Sequence, residues 1–174
     1  MQRKKQQGFT LIEILIVVAI IAILASVVLI GLGPTQRAGR DARRLSDLRE
    51  VQTGLELYYN KCGYYPGNPV ASGACTGFVS GNTWADMTKA LTETPDIGVN
   101  TVPNDPTAGH TYYYGTDVAG DGTGYLIAAT LEDPNNGAFT NYSAPTMSAY
   151  TMGDELAPAN CGVTGGVGVY CLTL

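Results

Sequence analysis

Glu13 is the residue of this chain whose position most needs a chemical explanation. It is the one charged side chain in the 24 residues from Phe9 to Leu32, of which seventeen are Phe, Leu, Ile or Val. A carboxylate in such surroundings must find a cation or hydrogen-bond donors, or give up its charge. No Lys, Arg or His lies between Phe9 and Gln36. No side-chain cation is therefore available within the run itself. The simpler alternative is a protonated carboxyl, or one that reaches the lipid headgroups.

The other reactive side chains suggest structure more than catalysis. Cys62, Cys75, Cys161 and Cys171 allow three pairings. Local closure favours 62–75 with 161–171, each worth ~3 kcal/mol, and such bridges suit an extracytoplasmic compartment. Zinc is disfavoured, because no Cys-x-x-Cys occurs and His110 is the single histidine. The loop from Asp117 to Gly122 matches a calcium loop at the first and fifth positions, Asp117 and Asp121, and at the glycine. It fails at Ala119 and Ala128, where the template needs oxygen ligands. A turn is therefore expected, with Asp117 and Asp121 as the calcium candidates and no other cofactor. Asn141-Tyr142-Ser143 fits a glycosylation acceptor. No nucleophile motif, phosphate loop or metalloprotease helix is present, so an enzyme is not expected.

Three unlike parts must position these residues. Residues 1–8 carry Arg3, Lys4 and Lys5 and no acid, whereas residues 62–174 carry one base, Lys89, against ten acids, a net charge of −9. The stretch between them holds six bases and five acids within a whole-chain charge of −5. An acidic total with one compact basic cluster is poor material for a nucleic-acid interface. Charged residues are only 14% of the chain against 45% hydrophobic, which excludes disorder. The apolar run is long enough to span a bilayer. Its seventeen large apolar residues favour insertion by about 8 kcal/mol, against at most ~3 kcal/mol for Glu13. The basic leader places the N-terminus in the cytoplasm and the rest outside. A secretory signal peptide would be shorter and end near an Ala-x-Ala site, and a plain anchor leaves Glu13 unexplained.

The sequence Lys4-Lys5-Gln6-Gln7-Gly8 followed by Phe9-Thr10-Leu11-Ile12-Glu13 resembles the class III signal of type IV prepilins and type II secretion pseudopilins. The resemblance implies cleavage between Gly8 and Phe9 by a prepilin peptidase and N-methylation of Phe9. It also implies that Glu13 acts in assembly, meeting the amine of a neighbouring subunit. The implied partners are the chain itself and related pilins, the inner-membrane assembly platform, and lipid before assembly. The sequence departs from the family at Ile30, where pilins usually carry proline; Gly31, Gly33 and Pro34 follow instead. Gly and Pro at these positions weaken a helix and can kink it, although residues 9–60 could still form nearly one helix.

After Pro34, Ala38, Ala42, Leu45, Leu48, Val51, Leu55 and Tyr58 recur at helical spacing. Arg37, Arg40, Arg43 and Arg44 fall mostly off that stripe, as a solvated or headgroup-facing surface would. A sharper reading brings them against the acidic head of an adjacent subunit. The run Tyr58–Pro66 resembles the family's helix exit. Thr83-Trp84-Ala85-Asp86 predicts a capped short helix with Trp84, Met87 and Leu91 inward. Strands are predicted over 111–115, 125–131 and 167–174, and a long polar loop over 133–165, anchored by Tyr142 and Tyr150.

The resulting expectation is an α+β, pilin-like chain, with a long N-terminal helix packed on a small antiparallel sheet. Its parts are a leader over 1–8, a membrane and assembly helix over 9–33, an amphipathic stem over 34–61 and an acidic head over 62–174. The corresponding function is a structural subunit of a type IV pilus or pilus-like filament. A major pseudopilin of a type II secretion system is the alternative, and a membrane-anchored binding module that never polymerises is a third reading.

Overall fold

The computed structural model describes residues 8–67, 75, 81–117, 122–153, 158 and 160–174, with backbone alone at 29–31. The chain divides into two compact units, residues 1–37 and 38–174. Helix α1, Leu11–Cys62, contributes to both, and it is assigned without a break through Pro34. The Gly31–Pro34 stretch, a weak point by sequence, is thus carried within the helix. Proline removes one helical N–H but fixes φ near the helical value, so a helix carries it at the cost of one hydrogen bond.

In the first unit, every described side chain from Phe9 to Val28 is exposed. An 18-residue window of the helix has a mean hydropathy of 3.3, and by length and composition it can cross a membrane. A helix apolar on all sides needs an apolar medium or other helices around it.

In the second unit, α1 presents Leu48, Val51, Leu55 and Tyr58 to the core. The apolar stripe read from sequence does not continue below Leu48, where Ala38 and Ala42 are exposed and the inward face is Asp41, Arg44 and Asp47. The helix stops at Gly63, whose φ of 81° and N–H bond to the Tyr59 carbonyl form a left-handed cap. Helix α2, Trp84–Glu93, buries Trp84, Met87, Ala90 and Leu91. Gly54 of α1 admits it closely: an added Cβ would lie 3.3 Å from Leu91 Cδ1.

Five antiparallel strands follow: β1 Tyr113–Asp117, β2 Tyr125–Leu131, β3 Tyr150–Met152, β4 Gly162–Thr164 and β5 Val167–Thr173. Their spatial order is β3-β1-β2-β5-β4. β1 begins two residues later than predicted, because Tyr113 pairs with Ala128 and the ladder runs on to Thr116 opposite Tyr125. One face of the sheet, with Tyr114, Tyr125, Ile127 and Ala129, packs on α1 and α2. The other face, with Leu126, Ala128, Val169 and Cys171, is covered by Tyr142, Met147, Tyr150 and Met152. The described residues of the segment predicted as a polar loop over 133–165 thus cover this face and also supply β3 and β4. This cover explains why β2, Tyr-Leu-Ile-Ala-Ala-Thr-Leu, is apolar on both sides.

Candidate functional site

The N-terminal motif starts α1 by a reciprocal cap. Thr10 precedes the first helical residue; its Oγ1 accepts the Glu13 N–H at 3.3 Å. The Glu13 carboxylate in return accepts the Thr10 backbone N–H at 2.9 Å and the Thr10 hydroxyl at 2.7 Å. This is a capping box, and Thr-x-x-Glu was its signature in the sequence. Glu13 thus has hydrogen-bond donors of its own in Thr10, within the same chain. Gly8 and Phe9 lie outside the helix and are exposed, Phe9 at 85%.

At the other functional region, the arginines of the stem meet the carboxylates of the head within one chain. Arg44 is completely buried. Its guanidinium donates to Asp105 at 2.7 and 3.0 Å, Asp41 at 2.8 Å, Glu132 at 3.0 Å and the Thr107 hydroxyl at 2.8 Å. Arg40 donates two bonds of 2.6 Å to Glu132. Asp41 also accepts the backbone N–H groups of Glu132 and Asp133 at 2.9 and 3.0 Å. The turn-rich 102–106 segment and the exit of β2 are thereby fastened to α1. Two of the four clustered arginines are therefore not a solvated face. Arg43, with its side chain 62% exposed and 3.8 Å from Asp47, remains outward.

The electrostatics follow from the geometry. The Arg40 hydrogen bonds, opposed by some desolvation and helped by Arg44, hold the Glu132 carboxyl down to about 2. Burial pushes the Asp105 carboxyl up, but the Arg44 guanidinium and the Thr107 N–H outweigh it, leaving it below its usual value. Bonding to Asp105 raises Arg44 further above its already basic value, against the opposing effect of burial. Beside this cluster, Tyr112 donates to Asp47 at 2.6 Å, and burial first and then that carboxylate push its phenol up.

Cys62 and Cys75 are bonded, as are Cys161 and Cys171, with Cα–Cα distances of 5.6 and 5.8 Å. The first ties the end of α1 to the core, and the second ties the entry of β4 to β5. Asp117 ends β1, while Asp121 lies outside the described residues. Among the described residues no group of three His, Cys, Asp or Glu side chains is arranged to hold a metal. A groove of about 390 Å³ beside α1, lined by Leu57, Leu91, Val99 and Pro103 among others, has Glu50 as its ionisable side chain. One carboxylate without a paired nucleophile or base gives that groove no catalytic constellation.

Comparison with known proteins bears on the same N-terminal residues. The family described as "Prokaryotic N-terminal methylation motif" matches residues 3–29. The Aeromonas hydrophila type II secretion system core protein G is 33% identical over 66 residues, 38% of this chain and 46% of that protein. The Escherichia coli K12 protein of the same name is 36% identical over 62 residues, 36% of this chain and 43% of its own length. The Klebsiella michiganensis one is 39% identical over 67 residues, 38% and 46%. The chain spans less than half the length of these curated relatives, and no solved structure matches it. Residues 3–29 thus carry the prepilin-type methylation motif, ahead of a head whose likeness is its own α+β architecture.

Proposed function

We propose that this chain is a structural subunit of a pilus-like filament, stored in the membrane by residues 9–33 and polymerised through them. The observation that carries the reading is the junction of two features. A methylation motif places an exposed Gly8–Phe9 peptide before the helix. The helix that follows is apolar on every side and has no partner of its own over Phe9–Val28. Such a helix is satisfied in lipid or among copies of itself. Cutting before Phe9 creates the amine that Glu13 can meet on a neighbouring copy, and methylation of Phe9 follows on the same atom. The leader bases set the N-terminus in the cytoplasm and the disulfide-bonded head outside the cytoplasmic membrane. The partners are further copies and related pilins, the prepilin peptidase, the assembly platform and membrane lipid. The role is mechanical rather than catalytic.

The type IV pilus is one form of such a filament. The similarity of 36–38% of the chain to type II secretion system core protein G favours the other, a major pseudopilin. Replacing Glu13 by Ala tests assembly. Filaments should disappear while the processed chain accumulates in the membrane. Filaments of normal length from Glu13→Ala would leave a monomeric anchored module as the better account.

A further inference from the structure

Asn141-Tyr142-Ser143 is the single Asn-x-Ser/Thr tripeptide of the 174 residues, and the filament reading gives it no role. In the structure it follows a 3-10 turn, Gly137–Phe139, at the edge of the layer that covers the sheet. Asn141 has φ of 61°, in the left-handed region that Asn visits more readily than most residues. Asn141 and Ser143 are exposed, while Tyr142 between them is half-buried and anchored. Its hydroxyl donates to the Cys171 carbonyl at 3.1 Å and accepts the Cys171 N–H at 3.0 Å. The tripeptide is thus held in a raised turn by its middle residue, with acceptor amide and hydroxyl both on the surface.

A second observation points the same way. Tyr142 stacks on Tyr170 with ring centroids 5.0 Å apart, and Phe139 meets Tyr142 and Tyr170 edge-on at 5.8 and 6.2 Å. All three rings are half-exposed beside Asn141. Part-exposed aromatic faces are a surface on which the C–H faces of pyranose rings pack, so a first sugar on Asn141 would have a platform. The surrounding surface is otherwise small and polar (Thr140, Ser143, Ala144), with no charge in residues 134–153 to repel a glycan.

We infer that Asn141 is an acceptor for an N-linked oligosaccharide, added after export. This rests on the reading that the head lies outside the cytoplasm. The donor is an oligosaccharide on a lipid pyrophosphate. A bond forms between Asn141 Nδ2 and the anomeric carbon, the carbon–oxygen bond to pyrophosphate breaks, and the lipid pyrophosphate leaves as the amide nitrogen loses one proton. No oxidant or reductant is consumed.

The test is mass spectrometry of the full chain purified from its native envelope, digested before aspartate to release residues 133–153. The expected result is that peptide heavier by whole sugar units, on Asn141. The added mass should be lost completely in Asn141→Gln and Ser143→Ala and kept in Ser143→Thr. An unmodified peptide from a chain with both disulfides formed overturns the glycan assignment and leaves the export reading intact. An unmodified peptide from a chain with four free thiols overturns both.

Discussion

At the scale of single residues, Arg44 and Glu132 decide how the stem holds the head. A buried guanidinium facing three carboxylates is not a large net source of stability, but removing it leaves uncompensated charge. Arg44→Met should therefore destabilise the head by roughly 3–5 kcal/mol, read as a lowered urea midpoint of the purified chain; an unchanged midpoint would mean that the cluster is a loose surface pair. The same cluster makes stability pH-dependent. The Glu132 carboxyl is held near 2 from an ordinary 4.5. A depressed carboxyl contributes stability above its unfolded value and loses it as pH falls through the folded one. Urea midpoints should fall between pH about 4.5 and 2, and Glu132→Gln should flatten that slope; an equal slope in the variant would contradict it. None of this was legible beforehand. The predicted stripe leaves Arg40 and Arg44 off the apolar face, whereas Arg44 lies on the buried face with Asp41 and Asp47; Asp41 is three residues from it, but the head partners Asp105 and Glu132 lie 61 to 92 residues away and no local pattern connects them. The capping box was legible, since Thr10 and Glu13 stand three apart, yet the apolar surroundings of Glu13 drew the reading toward a missing cation.

At the scale of elements, local signals were read where local physics governs. Thr83 caps α2 through its hydroxyl, accepting the Asp86 N–H at 3.1 Å, and Trp84, Met87 and Leu91 face inward at helical spacing. Thr83→Ala should cost about 1 kcal/mol, measured as a small drop in melting temperature, with no drop if the cap is redundant. β2 and β5 also stand where apolar runs and turn residues placed them. The 133–165 segment was read as loop because Asn, Pro, Gly, Ser and Thr dominate it. Tyr142 and Tyr150 anchor it as expected, and Met147 and Met152, which composition did not single out, join them against the sheet face. Sparse anchors of this kind carry no period. The late start of β1 has a similar cause, since its register is set by β2 and not by its own residues.

At the scale of the whole molecule, charge and hydropathy divide the chain more sharply than any motif. A basic leader, an all-round apolar helix and an acidic, disulfide-bonded head fit the proposed subunit, which would be cut, exported and packed against copies of itself. Part of the head's negative charge is spent internally, because Asp105 and Glu132 answer Arg40 and Arg44. In the proposed filament, attraction between stem and neighbouring head would fall to the arginines that stay outward, Arg37, Arg43 and Arg49 among the described residues. The most direct test of the account is the intact mass of the protein in filaments sheared from the cell surface or envelope, with and without reductant. The account predicts a chain that starts at Phe9, carries one added methyl, gains mass on reduction equivalent to two disulfides, and keeps any sugar on Asn141. A chain recovered only from the membrane and still starting at Met1 would contradict processing and assembly together.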